Sequence, residues 1–284
     1  MVGVTGSNAL GEYLRARREL MDPAQAGLRV TGVRRTPGLR REEVATRAGI
    51  SADYYLRLEQ GRDRNPSPQV LEALARVFGL DATATQYLLS LSTTRQPAPR
   101  RARRREVVPA GIRQLLDVLE LPAFVESRMF DVLAANRLAT ALSPSIRPGA
   151  NRLRSVFLDE DEQDLHPDWE QAIGGMVASF RASIGTGVDD PQVAHLVGEL
   201  SLASEPFRRL WARHDVKPLV GAPTRMDHPQ VGMLELRREK LPLGDSGGQL
   251  LVIYHAEPGS ESARSLALLG SLAATADVAA AEPG

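Results

Sequence analysis

The chain has 284 residues, 43% of them apolar, which suffices for two modest domains with cores of their own. It holds no cysteine, which excludes a disulfide framework and thiolate zinc sites; no apolar run reaches membrane-spanning length, and residues 1–30 lack the basic start and apolar centre of a signal peptide. The net charge of zero conceals two opposite regions: residues 1–105 carry 19 Arg, no Lys and 10 acids, a net +9, and the remainder carries 16 bases and 25 acids, a net −9.

A basic head on an acidic body points to a first part that meets a polyanion and a second part with other work. In the head, residues 10–21 place Leu10 and Leu14 at helical spacing with Arg15, Arg17 and Arg18 on other faces. Residues 22–38, rich in Gly, Pro and Arg, read as a loop. A second helix over 39–48 opens with Glu42 and Glu43, where acids suit the helix dipole. Ser51 is the N-cap of a third helix that ends at Gln60, before Gly61. Ser67 and Pro68 open a fourth helix, with Gly79 past its end, and a fifth runs over about 81–91. Between the second and third helices, Val44, Ala48, Ile50, Tyr55 and Leu58 point inward, small Ala45 allows close approach, and Gly49 allows a tight turn. This is a helix-turn-helix pattern.

The stretch TTRQPAPRRARRRE follows and reads as a solvated linker, so the chain divides into residues 1–92, a linker at 93–107 and a body at 108–284. Its RRARRR either lies along a phosphate backbone or only keeps the linker extended. In the body, GIRQLLDVLE is a helix and PAFVESRMFDVLAAN two short strands with a turn near Arg128. Helices follow through Leu142, Phe157, 167–184, 191–203 and 205–213. GMLELRREKL and QLLVIYHAEP are strands separated by PLGDSGG, VGAPTRMDH is an earlier strand, and 260–281 is an Ala and Leu helix. The expected fold is therefore an all-α five-helix domain followed by an α/β domain with a small, mainly antiparallel sheet.

The run LRREEVATRAGISADYYLRLEQGR, followed by NPSPQVLEALARVFGL, resembles the Cro/phage-repressor (Xre-type) DNA-binding family over residues 10–92. The resemblance implies binding to double-stranded DNA, with base-reading positions at Ala52, Asp53 and Arg57. Ser51 shares their outer face. Arg57 suits guanine and Asp53 suits the cytosine amino group. Asp53 repels phosphate, which leaves specificity or capping as its role. Tyr54 either hydrogen-bonds a phosphate or packs partly in the core. Arg62 and Arg64 lie where the family touches backbone, and Arg18 and Glu59 match a pair that links the first and third helices. Where relatives open the second helix with a Ser or Thr cap, this chain has Arg40 and Arg41, a loss of about 1 kcal/mol that phosphate contacts offset in the complex. The loop also brings Arg34 and Arg35 beside the motif. One such head reads few base pairs, so a homodimer on a pseudo-palindromic operator is expected.

The body segments LAANRLA, HPDWE, LVGELSLASEPFRRLWARHDV and HPQVGMLEL with LLVIYHAEPGS resemble the MmyB-like ligand-binding domain over about residues 108–260. That resemblance implies a PAS-like sheet with helices around an apolar pocket, and a hydrophobic effector such as a fatty acid. Candidate pocket residues are Trp169, Ile173, Met176, Val177 and Phe180 on one helix and Phe207, Leu210 and Trp211 on another, each of which also fits plain core. Arg181 or His214 pairs with a ligand carboxylate or makes a surface ion pair. No cofactor, catalytic string or metal site is expected: G-x-S-x-G, the Walker string and the dinucleotide fingerprint do not occur. The run DEDEQDLHPDWE reads as a solvated loop and helix start, against a metal-site alternative at His166. A further alternative makes the body a ligand-free dimerisation or interaction module. The expectation is a cytoplasmic regulator, not an enzyme, and not bound to membrane.

Overall fold

The computed structural model describes residues 8–28, 38–63, 65–92, 106–185, 187, 190–218, 220–244 and 246–281, the last six of these for backbone only. They form two compact units. The first comprises the described residues of Met1–Arg100 together with Val177–Pro218, and the second those of Arg101–Met176 together with Leu219–Gly284. Residues 177–218, which belong to the body in sequence, thus pack in the unit that holds the head.

In the first unit the head is α1 (Ala9–Leu20), α2 (Arg41–Ala48), α3 (Ala52–Glu59), α4 (Pro68–Val77) and α5 (Ala82–Ser92). The starts follow local chemistry. Ser51 Oγ accepts from the Tyr54 N–H at 3.1 Å, Ser67 caps α4 with Pro68 in its first turn, and Asp81 Oδ1 accepts from the Ala84 N–H at 2.8 Å. Gly49 ends α2 at φ 70°, a left-handed turn that a side chain resists, and so redirects the chain into α3. Gly11 lies so close to α3 that a Cβ there would sit 2.3 Å from the Glu59 carbonyl oxygen. Val44, Tyr55 and Leu58 are buried with Leu10, Tyr13, Leu14, Leu39, Leu71, Leu74 and Leu88, while Ala48 and Ile50 are half-buried against them. The same unit takes in the second half of α10 (Trp169–Ile184), α11 (Pro191–Ala203) and α12 (Glu205–Ala212).

The second unit is built on a five-stranded, wholly antiparallel sheet in the order β2-β1-β5-β4-β3: β1 is Ala123–Glu126, β2 Val132–Ala135, β3 Ala222–His228, β4 Gly232–Pro242 and β5 Leu250–His255. This matches the PAS-like sheet expected. Ser127 Oγ accepts from the Met129 and Asp131 N–H groups and so shapes the β1–β2 turn. Alternation along the strands makes two apolar faces. Phe124, Val252, Tyr254, Leu234 and Leu236 face α7 (Arg137–Leu142) and α13 (Glu261–Ala281); Ala123, Val125, Ala134 and Leu251 face Leu116 of α6 (Ala110–Val118). The helices α8 (Arg152–Leu158) and α9 (Glu160–Asp164) and the first half of α10 complete the unit. The acidic run expected to be solvated is instead folded as α9, with Glu162 buried.

Candidate nucleic-acid interface and sensor elements

The outer face of α3 carries the polar candidates. Ser51 and Asp53 are exposed, and Arg57 donates to the Asp53 carboxylate one turn earlier, with side chains 46% and 72% exposed. Arg57 also lies 5.6 Å from the centre of the Tyr54 ring, which is itself half-buried against the core. The pair places a guanidinium fork and a carboxylate side by side on one helix face. Such groups match a guanine edge and a cytosine amino group. Ala52 is half-buried against the core, so it offers little more than its methyl edge. Arg62 is exposed after α3; Arg64, with Arg34, Arg35 and the linker RRARRR, lies outside the described residues.

Beneath this face sits one carboxylate with two cations. Glu59, fully buried, accepts from Arg18 Nε at 2.6 Å and from Arg41 Nε at 2.7 Å. Burial favours its neutral acid, but hydrogen bonds and charge from Arg18 and Arg41 outweigh burial and hold the carboxyl below the usual range. Arg18 and Glu59 are the linking pair expected from sequence. Arg41, 43% exposed, is held to the same acid at the start of α2. Arg40 is exposed and gives no side-chain cap; instead Glu43 accepts from the Arg40 N–H at 2.7 Å, supplying the returning half of a capping box. That contact compensates part of the missing cap within the protein itself.

The sensor candidates fall in both units. In the second, Ile173 is buried, Met176 half-buried, and Trp169 donates to the Val156 carbonyl at 2.9 Å with its ring edge-on to Phe157. In the first, Val177, Phe180 and Phe207 are buried, Leu210 is half-buried, and Trp211 stacks on Phe207 at 5.9 Å with Phe180 at 6.0 Å. Arg181 is not at the surface: it is 3% exposed, with its guanidinium 3.7 Å over the Trp211 ring.

Two charged clusters inside the second unit went unread in the sequence. Glu162 accepts from Arg152 Nη2 at 2.7 Å, from Ser145 Oγ at 2.6 Å and from Ser143, with His166 at 3.4 Å. The Arg152 guanidinium and the His166 ring thus share one oxygen of the Glu162 carboxylate, Oε1. Lys240, buried, donates to Glu126 and lies 4.6 Å from the centre of the Phe130 ring. Burial pushes the Lys240 amine down, against the pull of Glu126. On the same strand face the Arg238 Nε is buried without a hydrogen-bond partner among the described residues. The one sequence signal for Arg152 is its place one turn before buried Val156 on an otherwise apolar helix face.

The comparisons with protein families define the class, a DNA-binding transcription regulator with a ligand-binding domain. Residues 9–88 match the helix-turn-helix domain and residues 108–269 the MmyB-like transcription regulator ligand binding domain. The chain belongs to the MmyB-like transcription regulator family. A comparison with curated proteins gives no match. No helix among the described residues is long and apolar enough to cross a membrane.

Proposed function

We propose that this regulator reads its operator as Xre-type repressors do, through Arg57 and Asp53 of α3, as a cytoplasmic homodimer on a pseudo-palindromic site. The exposed Arg57–Asp53 pair carries this reading, because a matched fork and carboxylate on the reading helix supply base discrimination that phosphate contacts lack. Arg40, Arg41, Ser51, Tyr54, Arg62 and Arg64 flank it as backbone contacts, and Ala52 supplies an apolar one. Two copies, with half-sites about one helical turn (~10 base pairs) apart, give the specificity that one head lacks. Selection of duplexes from a random pool, followed by footprinting, tests it; an unrepeated half-site bound by a monomer refutes the dimer.

The body, in the same proposal, senses a hydrophobic effector with an acid group, such as a fatty acid. The buried Arg238 Nε, without a hydrogen-bond partner among the described residues, supports the acid group, because a desolvated donor gains most from a carboxylate. In the unit of Arg238 its apolar candidates are Trp169, Ile173 and Met176; Val177, Phe180, Phe207, Leu210 and Trp211 are the candidates for a site within the first unit. Titration of fatty acids against the fluorescence of Trp169→Phe and Trp211→Phe variants reports the site through the remaining tryptophan. Saturable change with a matching change in operator affinity is expected; no change with any chain length, in protein purified free of lipid, leaves the body a dimerisation module.

A further inference from the structure

The face of α1 that carries Tyr13 and Arg17, one turn apart, is covered by the ligand-binding domain. Val216 lies in the same apolar core as Leu10, Tyr13 and Leu14, with Ala182 of α10 packed against it. The Tyr13 ring is 5.4 Å from Tyr87 of α5 and edge-on to His214 at 6.4 Å. Arg17 Nη1 lies 2.6 Å from Asp215 Oδ1, and the other Asp215 oxygen accepts from Arg213. His214, between them, takes a left-handed φ of 53°, a conformation uncommon outside glycine and sustained by its surroundings. Arg181 donates to the Trp211 carbonyl at 2.6 Å and reaches Tyr87 of the head, while its Nε has no hydrogen-bond partner among the described residues.

A buried guanidinium that meets no carboxylate within 4.0 Å among the described residues is tolerated only where an aromatic face and carbonyls replace water around it. Tyr87 and Trp211, from the two family domains, provide that surrounding jointly. The contact also continues inward. Arg18, next to Arg17, holds Glu59 of α3, and Glu59 holds Arg41 of α2. The register of α1 against residues 213–216 is thus shared with both helices of the DNA-binding motif.

We propose that residues 177–218 of the ligand-binding domain clamp the head through α1 and α5, and that this clamp, not the Arg-rich linker, positions the reading helix for operator binding. Asp215 and Arg181 are its positioning residues. The proposal rests on α3 being the reading helix, but its first test needs no DNA.

A protease recognition sequence replaces residues 96–101 of the full chain, which is purified and cut. The two pieces are expected to elute together in size-exclusion chromatography and to keep the operator affinity of the uncut protein. Separation on cutting overturns the clamp. Asp215→Arg and Arg17→Asp, singly, are expected to release the cut head and to weaken operator binding on the order of tenfold, within the range of couplings between sites. The exchange of both residues is expected to restore retention and affinity. Electrostatics alone gives the opposite sign for Asp215→Arg, because added positive charge tightens binding to DNA. Tighter binding by Asp215→Arg, or release of the head with operator affinity unchanged, overturns the positioning role. Failure of the double exchange to restore retention removes the ion pair from the clamp.

Discussion

The two units each bury one glutamate in a short helix and treat it differently. In the second unit Glu162 is enclosed by Arg152, Ser143, Ser145 and His166, and the Arg152 and Glu162 side chains are all but inaccessible. In the first unit Glu59 is equally buried, but one of its two arginines, Arg41, stands half in solvent at the start of α2. A closed network can only hold segments together. One with an exposed member leaves a cation where an outside anion can compete with the buried carboxylate, here Arg41 between solvent and Glu59.

The largest test of this contrast removes each acid. Glu162→Ala leaves Arg152 buried without its carboxylate, with about 3 to 5 kcal/mol of stability expected to be lost, and Glu59→Ala leaves Arg18 only the exposed Glu19 at 3.3 Å, with a loss at the lower end of that range. Denaturant unfolding followed by circular dichroism measures it. Operator affinity, measured where each variant is still folded, is expected to fall for Glu59→Ala and to stay unchanged for Glu162→Ala. Equal effects on affinity would erase the distinction. Acid tests the same pair without mutation. Burial raises the Glu162 carboxyl, yet the Arg152 charge and hydrogen bonds from His166, Arg152 and Ser143 prevail and hold it well below the usual range. A carboxyl lowered on folding contributes stability in full above its unfolded pKa of about 4.3 and loses it as pH falls further. Stability is therefore expected to drop steeply below about pH 4, and Glu162→Gln to flatten that slope.

A second test concerns the exposed part of the contrast. Arg57→Ala is expected to weaken operator binding by about 1 to 3 kcal/mol and to relax base choice at one position. Arg41→Ala is expected to weaken binding to all sequences, to flatten the salt slope by about one ion, and to lower stability by about 1 kcal/mol through the loss of a half-exposed pair. Binding titrations over a range of salt, with operator and unrelated duplex, separate the two.

How much of this was readable in advance depended on distance along the chain. The head helices were legible to within one or two residues, because Ser51, Ser67, Pro68 and Gly49 are local signals that act within a turn. The sheet was legible from the alternation in GMLELRREKL and QLLVIYHAEP, with register left to packing. Glu162 was not: six other acids share its run DEDEQDLHPDWE, and what buries it is Arg152, ten residues earlier, with Ser143 and Ser145 earlier still. The aromatic stripe of α10 showed that a face is buried, but not that Trp169 and Phe180 would find neighbours in different units. Arg181 looked like a surface charge because nothing near it in sequence announces Tyr87.

A third, smaller effect lies at the junction of α1 with residues 213–216. Burial, then the charges of Arg181 and Arg17, press the His214 imidazole down to about 4, with Asp215 alone opposing them. A histidine lowered on folding stays neutral in the native state while the unfolded chain takes up a proton below about pH 6.5. The native state is therefore expected to lose stability gradually between about pH 6.5 and 4, by about 1 kcal/mol near pH 5.5. Unfolding of His214→Asn across that range is expected to lack this component, and an unchanged slope would take His214 out of the buried junction.

The smallest effect on stability is expected at Asp53. Its pair with Arg57 spans one exposed turn, worth about 0.2 to 0.5 kcal/mol, so Asp53→Ala is expected to leave unfolding nearly unchanged. Capping does not account for this acid, because Ser51 already accepts from the Tyr54 N–H. On the proposed reading Asp53 serves selection at the DNA surface, where a carboxylate repels every phosphate and is repaid only by a matching base. Asp53→Ala is expected to bind unrelated duplex more tightly, because a negative charge is removed, and to distinguish the operator from it less well. A further effect follows for Arg57, which loses the neighbour that orients its fork. A double-mutant cycle with Arg57→Ala measures that share: a coupling near zero on the operator would show that the two residues read separate bases, and a coupling above about 0.5 kcal/mol that they read as one unit.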